Sequence, residues 1–367
     1  MPYPQLLIDL PKLEDNVRQM CQDMAAAGMH VMGVNKVFNG DLPPALALVR
    51  GGVDVVAESS VANLVKIAEL PCAKALLRSP ALSEVEMVVR YADISLNGEI
   101  VVLNALAREA EWQQKNHQIL LMVDMGDLRE GIWHEDQAAI AAALRVIIED
   151  PFLSLYGLGT NFNCYGTVMP TVQNGAAFVN LARQLEKQLG ITFPYLSGGN
   201  CTSYHLIDKG IMPAGINELR IGGQYQFGME FVDVKYLPGY HHSCKDAELC
   251  ASNLFILQGE IVEYSCKPTM PVGELGKDAF MHSKTFLDQG WRRRGILNFG
   301  LQDIPGESIH PVDSGITILG QTSNHTIVDL EDADKSYQLG DILEFELDYT
   351  ALMFACNSPG IAKVYLL

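Results

Sequence analysis

The chain has 367 residues, 48% hydrophobic and 19% charged, a composition that excludes a disordered or fibrous protein and gives room for two domains. Its 26 Lys and Arg stand against 44 Asp and Glu, a net charge of −18, and the one basic tract, Arg292 to Arg294, is too short for a nucleic-acid groove. No apolar run reaches the roughly 18 residues a membrane helix needs: Ala138 to Ile148 is broken by Arg145 and flanked by Asp136 and Glu149.

The N-terminus, Met1 to Pro4, carries no basic region and no signal-like apolar core. Eight cysteines are too sparse for a disulfide scaffold, so a cytoplasmic protein with free thiols is expected. A first strand-like run, Gln5 to Asp9, precedes a helix starting near Pro11 and is compatible with either of two domains. From about residue 29 to 225, short β-branched runs alternate with longer helical stretches. The runs are His30–Lys36, Val53–Ala57, Lys74–Arg78, Ile94–Asn97, Ile119–Asp124, Leu153–Gly157, Tyr195–Ser197 and Glu218–Ile221. Several intervening helices carry start signals. Asp41 precedes Pro43 and Pro44, Ser83 has Glu86 at capping-box spacing, and Asp136 opens an alanine-rich helix ending near Glu149. Eight such units predict a (β/α)8 TIM barrel over residues 1–231, in preference to an open doubly wound sheet.

Beyond about residue 231 the helical periodicity stops. Strand-like runs at Asn253–Tyr264, Gly295–Phe299, Gly315–Leu319, Thr326–Leu330, Ile342–Leu347 and Ala362–Leu366 predict a mostly β domain over residues 232–367.

In such a barrel, reactive groups sit just past the strand ends. Lys36 ends the first run. Burial there would lower its pKa and make the amine a nucleophile suited to Schiff-base chemistry; the alternative is a rim lysine that snorkels to water. The fifth run leads into Asp124-Met125-Gly126-Asp127-Leu128-Arg129-Glu130. Arg129 there either clamps a substrate carboxylate or forms a loop salt bridge with Asp127 or Glu130. The sixth leads into a polar cluster containing Asn161 and Tyr165, which suits ligand contacts or ordinary turn chemistry. The seventh and eighth end in Ser197-Gly198-Gly199-Asn200-Cys201-Thr202-Ser203 and Arg220-Ile221-Gly222-Gly223. Paired glycines let backbone N–H groups approach an anion, and Thr202 and Ser203 open a short helix whose positive end would face it. No Walker-type phosphate loop is present.

A first-run lysine, glycine turns after the seventh and eighth runs, and a C-terminal β domain together resemble the fold-type III pyridoxal-phosphate enzymes of the alanine racemase superfamily. The blocks at residues 122–131, 157–165, 197–203, 217–223, 271–280 and 320–329 are most similar to its ornithine racemase-like branch. The resemblance implies pyridoxal 5′-phosphate covalently tied to Lys36, which also serves as one catalytic base. It implies a phosphate held by Thr202, Ser203, Gly222 and Gly223, with Asn200 beside them and Cys201 where a serine is usual. Arg220 would face the pyridine nitrogen and favour simple reprotonation. Arg129, Asn161 and Tyr165 would line the substrate. The second base, a tyrosine of the partner subunit in alanine racemases, has no tyrosine at the matching stretch; Glu274, His325, Tyr349 and Cys356 are the candidates.

The implied activity is two-base racemisation of an amino acid by a homodimer, with ornithine, another basic amino acid or alanine as substrate. The acidic surface suits a cationic substrate, although net charge speaks first to solubility. The alternatives are a non-catalytic pyridoxal-phosphate homeostasis protein, a lyase of the D-threonine aldolase or D-serine dehydratase kind, and a cofactor-free barrel aldolase. No metal is expected. Phe354 stands where the zinc-using relatives carry a histidine, and His241, His242, Cys244 and Cys250 fit no standard zinc spacing.

Overall fold

The computed structural model describes residues 2–242 and 254–367; Cys244 and Cys250 of the His/Cys cluster lie outside the described residues. The chain divides into two compact units, one of residues 11–241 and one combining residues 1–10 with 242–367.

The larger unit is a closed barrel. After β1 (Gln5–Asp9) come β2 (His30–Val34), β3 (Val55–Glu58), β4 (Ala73–Leu76), β5 (Ile94–Asn97) and β6 (His117–Asp124). A two-residue β7 (Ile132–Trp133) hangs on the end of β6, and β8 (Leu153–Gly159), β9 (Tyr195–Ser197) and β10 (Glu218–Ile221) complete the set. All neighbours are parallel, and β10 pairs with β2, closing an eight-stranded ring in the order predicted. Met32, Val34, Ala57, Ala75, Ile94, Leu96, Leu120, Met122 and Tyr156 are buried together in one cluster. Strands buried on both faces read as continuous apolar runs, which is why they were legible.

The helix caps follow the sequence only in part. Asp136 accepts the Ala139 N–H at 2.9 Å, as its position foretells. The Ser83/Glu86 box does not form. A 3₁₀ turn at Leu82–Glu84 begins earlier, and Glu84 reaches back to the Ala81 N–H at 3.2 Å while also binding Arg78 at 2.6 Å. The arginine draws that carboxylate into the box position.

Two short strands, β11 (Met229–Glu230) and β12 (Lys235–Tyr236), form a hairpin after the barrel. The second unit is built on β13 (Phe255–Pro268), β14 (Trp291–Leu297), β15 (Ile309–Pro311), β16 (Thr317–Gln321), β17 (Thr326–Asp329), β18 (Ile342–Leu347) and β19 (Ala362–Leu366). The sheet order is β15-β18-β13-β14-β17-β16. β1 adds to it, antiparallel to β13 and parallel to β19, with Leu6 and Ile8 fully buried. Residues 1–10, placed with the barrel by the 1–231 division, therefore belong with the β unit: their alternating apolar face finds its sheet only there. A helix at Tyr349–Asn357, opened by Asp348 accepting the Ala351 N–H at 2.8 Å, and the short β15 were both missed in the sequence. Among the described residues no helix is long and apolar enough to cross a membrane.

Candidate active site

The register of the barrel gathers the predicted residues at one end. Ile221 pairs with Gly33, so the turn at Gly222 lies against Val34, two residues before Lys36. A Cβ on Gly222 would stand 3.2 Å from the Val34 Cβ. Tyr225 Oη donates to the Val34 carbonyl at 2.8 Å and fixes the same approach. Lys36 follows the strand as the first residue of a 3₁₀ turn and is exposed; of its two readings, a buried strand-end amine and a rim lysine, the structure shows the rim position. The buried place just beyond the strand goes to Asn35, whose amide donates to Glu58 Oε1 at 2.8 Å. Burial pushes the Glu58 carboxyl above its ordinary range, opposed by the amides of Asn63 and Asn35. The Lys36 ammonium has no hydrogen-bond or ion-pair partner among the described residues.

The two glycine turns are joined. Gly222 donates its N–H to Cys201 Sγ at 3.2 Å, a link the sequence did not reveal because Cys201 read there as a lost serine. Asn200 organises the first turn: its side-chain oxygen accepts both the N–H and the hydroxyl of Thr202, at 2.9 and 2.7 Å. Ser203 is buried and its hydroxyl donates to the Gly198 carbonyl at 2.9 Å. Both predicted hydroxyls thus already have partners within their own turn. Gly199 holds φ +123°, and a Cβ there would meet Ser203 Oγ at 2.4 Å. The Gly223 N–H opens the next helix and has no acceptor among the described residues.

Arg220 lies inside the barrel, 4% exposed. It donates to Ser197 Oγ, to the Thr160 carbonyl at 2.6 Å and to Asn161 Oδ1 at 2.7 Å. Its Nε–H takes no part in these bonds. Burial lowers its pKa, while Glu218 and Glu130 oppose the shift. Glu218, one layer deeper, accepts the Tyr156 hydroxyl; burial raises that carboxyl against the bonds from Tyr156 and Ser197.

Asn161 passes the contact onward. Its Nδ2 donates to Glu130 Oε1 at 2.6 Å, and Glu130 grips Arg129 through both oxygens. Of the two readings of Arg129, the structure shows the salt bridge with Glu130. Burial acts against the Arg129 charge, and the Glu130 bonds outweigh it and raise the pKa. Burial likewise works to raise the Glu130 carboxyl, and Arg129 brings it below its ordinary range. Tyr165 is 74% exposed, on a loop pinned by a residue that the sequence offered only as an ion-pair partner for Arg129. Asp127, 1% exposed, accepts backbone N–H groups of Cys164, Tyr165 and Val168 at 3.1 to 3.3 Å.

The second-base candidates lie in the β unit. Glu274 is exposed in the strand-free segment between β13 and β14, and His325 is half-buried at the β16–β17 turn. Tyr349 opens the Tyr349–Asn357 helix, and Cys356 is buried at 1% exposure on it.

Fold and site together define a (β/α)8-barrel enzyme with an exposed strand-end lysine, two abutting glycine turns and a buried arginine. The chain belongs to the alanine racemase family: the family described as "Alanine racemase, N-terminal domain" matches residues 8–225. It is an amino-acid racemase of that family, an isomerase. It is 37% identical over 367 residues to an ornithine racemase of Acetoanaerobium sticklandii, covering 99% of this chain and 100% of that one. It is 32% identical to a lysine racemase of Thermotoga maritima, covering 100% of this chain and 99% of the relative. The alanine racemase of Bartonella henselae, solved with covalently bound pyridoxal phosphate, shares the fold at a TM-score of 0.71 and 16% identity, over 100% of both chains.

Proposed function

We propose that the protein is a pyridoxal-phosphate-dependent racemase of a basic amino acid, ornithine or lysine, acting as a homodimer. The observation that carries the reading is the convergence at one barrel end of Lys36, the Gly222–Gly223 turn and Arg220. The residues fit the cofactor. Among the described residues Lys36 offers an amine with no partner, Gly223 an N–H with no acceptor, and Arg220 a guanidinium whose Nε–H is unused. Lys36 would hold the cofactor covalently, and the turns at Asn200–Ser203 and Gly222–Gly223 its phosphate. Bound there, the cofactor withdraws electrons from the amino acid's Cα and so acidifies the α-hydrogen.

The chain's own groups do the rest. Lys36 Nζ takes or returns the α-proton on one face. Arg220, locked by three hydrogen bonds, presents a fixed positive donor, so no reorganisation is needed at the moment of reaction. Arg129 orients the substrate carboxylate once it is drawn from Glu130. Inversion needs a second group on the opposite face. Burial in its own unit counts against Cys356, leaving Glu274, His325 and Tyr349; we place the role on Glu274 of a second subunit, which keeps a carboxylate on an exposed segment. Support for the substrate class comes from the two relatives' names and from the charge of −18.

The test is Cα exchange in heavy water across a panel of L- and D-amino acids. Label entering ornithine or lysine with scrambled chirality is expected. Label with full retention of configuration, or none in any amino acid, overturns the reading.

A further inference from the structure

We propose that Glu130 selects the substrate: when an incoming α-carboxylate takes Arg129, the released Glu130 carboxylate takes the distal ammonium of a diamino acid. This deepens the racemase reading and rests on it.

The end of β6 and the turn after it carry three carboxylates, and they are held differently. Asp124 accepts the N–H groups of Gly126 and Leu128 at 2.8 and 3.2 Å. Asp127 is occupied by backbone donors from three residues of the neighbouring loop. Neither can turn away without dismantling its loop. Glu130 is held by the Arg129 guanidinium and the Asn161 amide, with its own backbone N–H as the one main-chain donor, so its carboxylate pins no other segment of the chain. Side chains exchange partners by rotamer changes, which leave the backbone intact.

The charges then decide which amino acid the exchange tolerates. The Arg129 and Glu130 side chains are 35% and 16% exposed, so neither is fully served by water. A diamino acid brings one carboxylate and one distal ammonium. It splits the internal ion pair and replaces it with two, leaving no charge uncompensated. A monoamino acid takes Arg129 but leaves Glu130 a mostly covered carboxylate that has lost its ion-pair partner and keeps only the Asn161 amide, its own N–H and the more distant Arg220 charge. Stripping a partner from a buried charge is costly. Discrimination of this kind acts by penalising the wrong ligand as well as by binding the right one. Asn161 bonds both Glu130 and Arg220, so the exchange takes place beside the group assigned to the cofactor ring, at an anchor that itself stays put.

The probe pair is ornithine and norvaline, which share a carbon skeleton and differ in the distal ammonium. The cofactor-loaded full chain is expected to favour ornithine in kcat/KM by about a hundredfold, the size of a lost partner on a covered charge. In Glu130→Gln that ratio collapses toward one, through a raised KM for ornithine and a lowered KM for norvaline, while the cofactor absorbance matches the wild type. Glu130→Asp retains part of the ratio and guards against a misfolded first variant. In a Lys36→Ala background, which performs no turnover, calorimetry should show ornithine binding weakened by Glu130→Gln and norvaline binding tightened, because no carboxylate is then left stripped. Equal losses for both amino acids would mean that Glu130 only braces Arg129, and would overturn the proposal. So would a wild type that racemises both at the same rate. A wild type that takes up no cofactor and racemises neither overturns the racemase reading itself, and this inference with it.

Discussion

The Asp127 carboxylate receives the Cys164 backbone N–H between its two oxygens, at 3.3 and 3.1 Å, and so ties the turn after β6 to the loop after β8. These two segments carry Arg129, Glu130, Asn161 and Tyr165, so one buried carboxylate sets the distance between the groups assigned to the substrate. Asp127→Asn replaces one acceptor oxygen with an N–H2 that faces other donors. The variant is expected to lose about 1–3 kcal/mol of stability, the cost of unsatisfied donors that had a charged acceptor. Its kcat/KM should fall more than tenfold, with cofactor affinity unchanged because the glycine turns are untouched. Urea unfolding and a cofactor absorbance titration measure the two effects separately.

Gly223 is required for space. A Cβ there would lie 2.7 Å from Phe231 Cζ, the end of a rigid ring. Gly223→Ala should therefore push the turn out of place and weaken cofactor binding at least tenfold. Gly223→Ala combined with Phe231→Leu removes the obstructing ring and should recover part of that loss. A double-mutant cycle on cofactor affinity reads the coupling directly; simple additivity would mean that the ring does not dictate the glycine.

His117, fully buried at the start of β6 with Nε2 2.7 Å from Ser95 Oγ, gives the fold an acid-sensitive point. Burial depresses its pKa from 6.5 to about 4, reinforced by Lys115 and opposed by Asp93. The unfolded chain therefore takes up this proton first. The stability is complete above pH 6.5 and drains away as pH falls toward 4. The shift corresponds to about 3 kcal/mol at most. His117→Gln cannot titrate, so the gap between variant and wild type in urea unfolding should close by up to this amount between pH 6.5 and 4. A gap that stays constant over that window contradicts the assignment.

Local chemistry explains what the sequence disclosed. The eight barrel strands are continuous apolar runs because both faces are covered, and Lys36, Arg220 and the paired glycines stand at the ends of such runs, where barrel chemistry is sought. The Asp136 cap depends only on its own helix and was readable for the same reason. Partnerships across the chain were not. Whether Gln5–Asp9 joins barrel or β unit depends on β13 and β19, far along the sequence. Asp127 and Glu130 looked like salt-bridge partners for Arg129, and nothing nearby says that one gathers a distant loop while the other also meets Asn161. Cys201 was legible as a departure from a serine pattern, but its bond to Gly222 requires β9 and β10 to be side by side. The exposure of Lys36 likewise follows from Asn35 taking the buried place, a choice made by Glu58 on the next strand.

The account stands on Lys36 being the residue that carries the cofactor, and borohydride reduction followed by peptide mapping tests this most directly. The purified chain is incubated with pyridoxal phosphate, reduced, digested and analysed by mass spectrometry. A pyridoxyl group on the peptide containing Lys36, absent from the Lys36→Ala variant, is the expected result. A reduced adduct confined to other lysines, or uptake undiminished in that variant, would contradict the account.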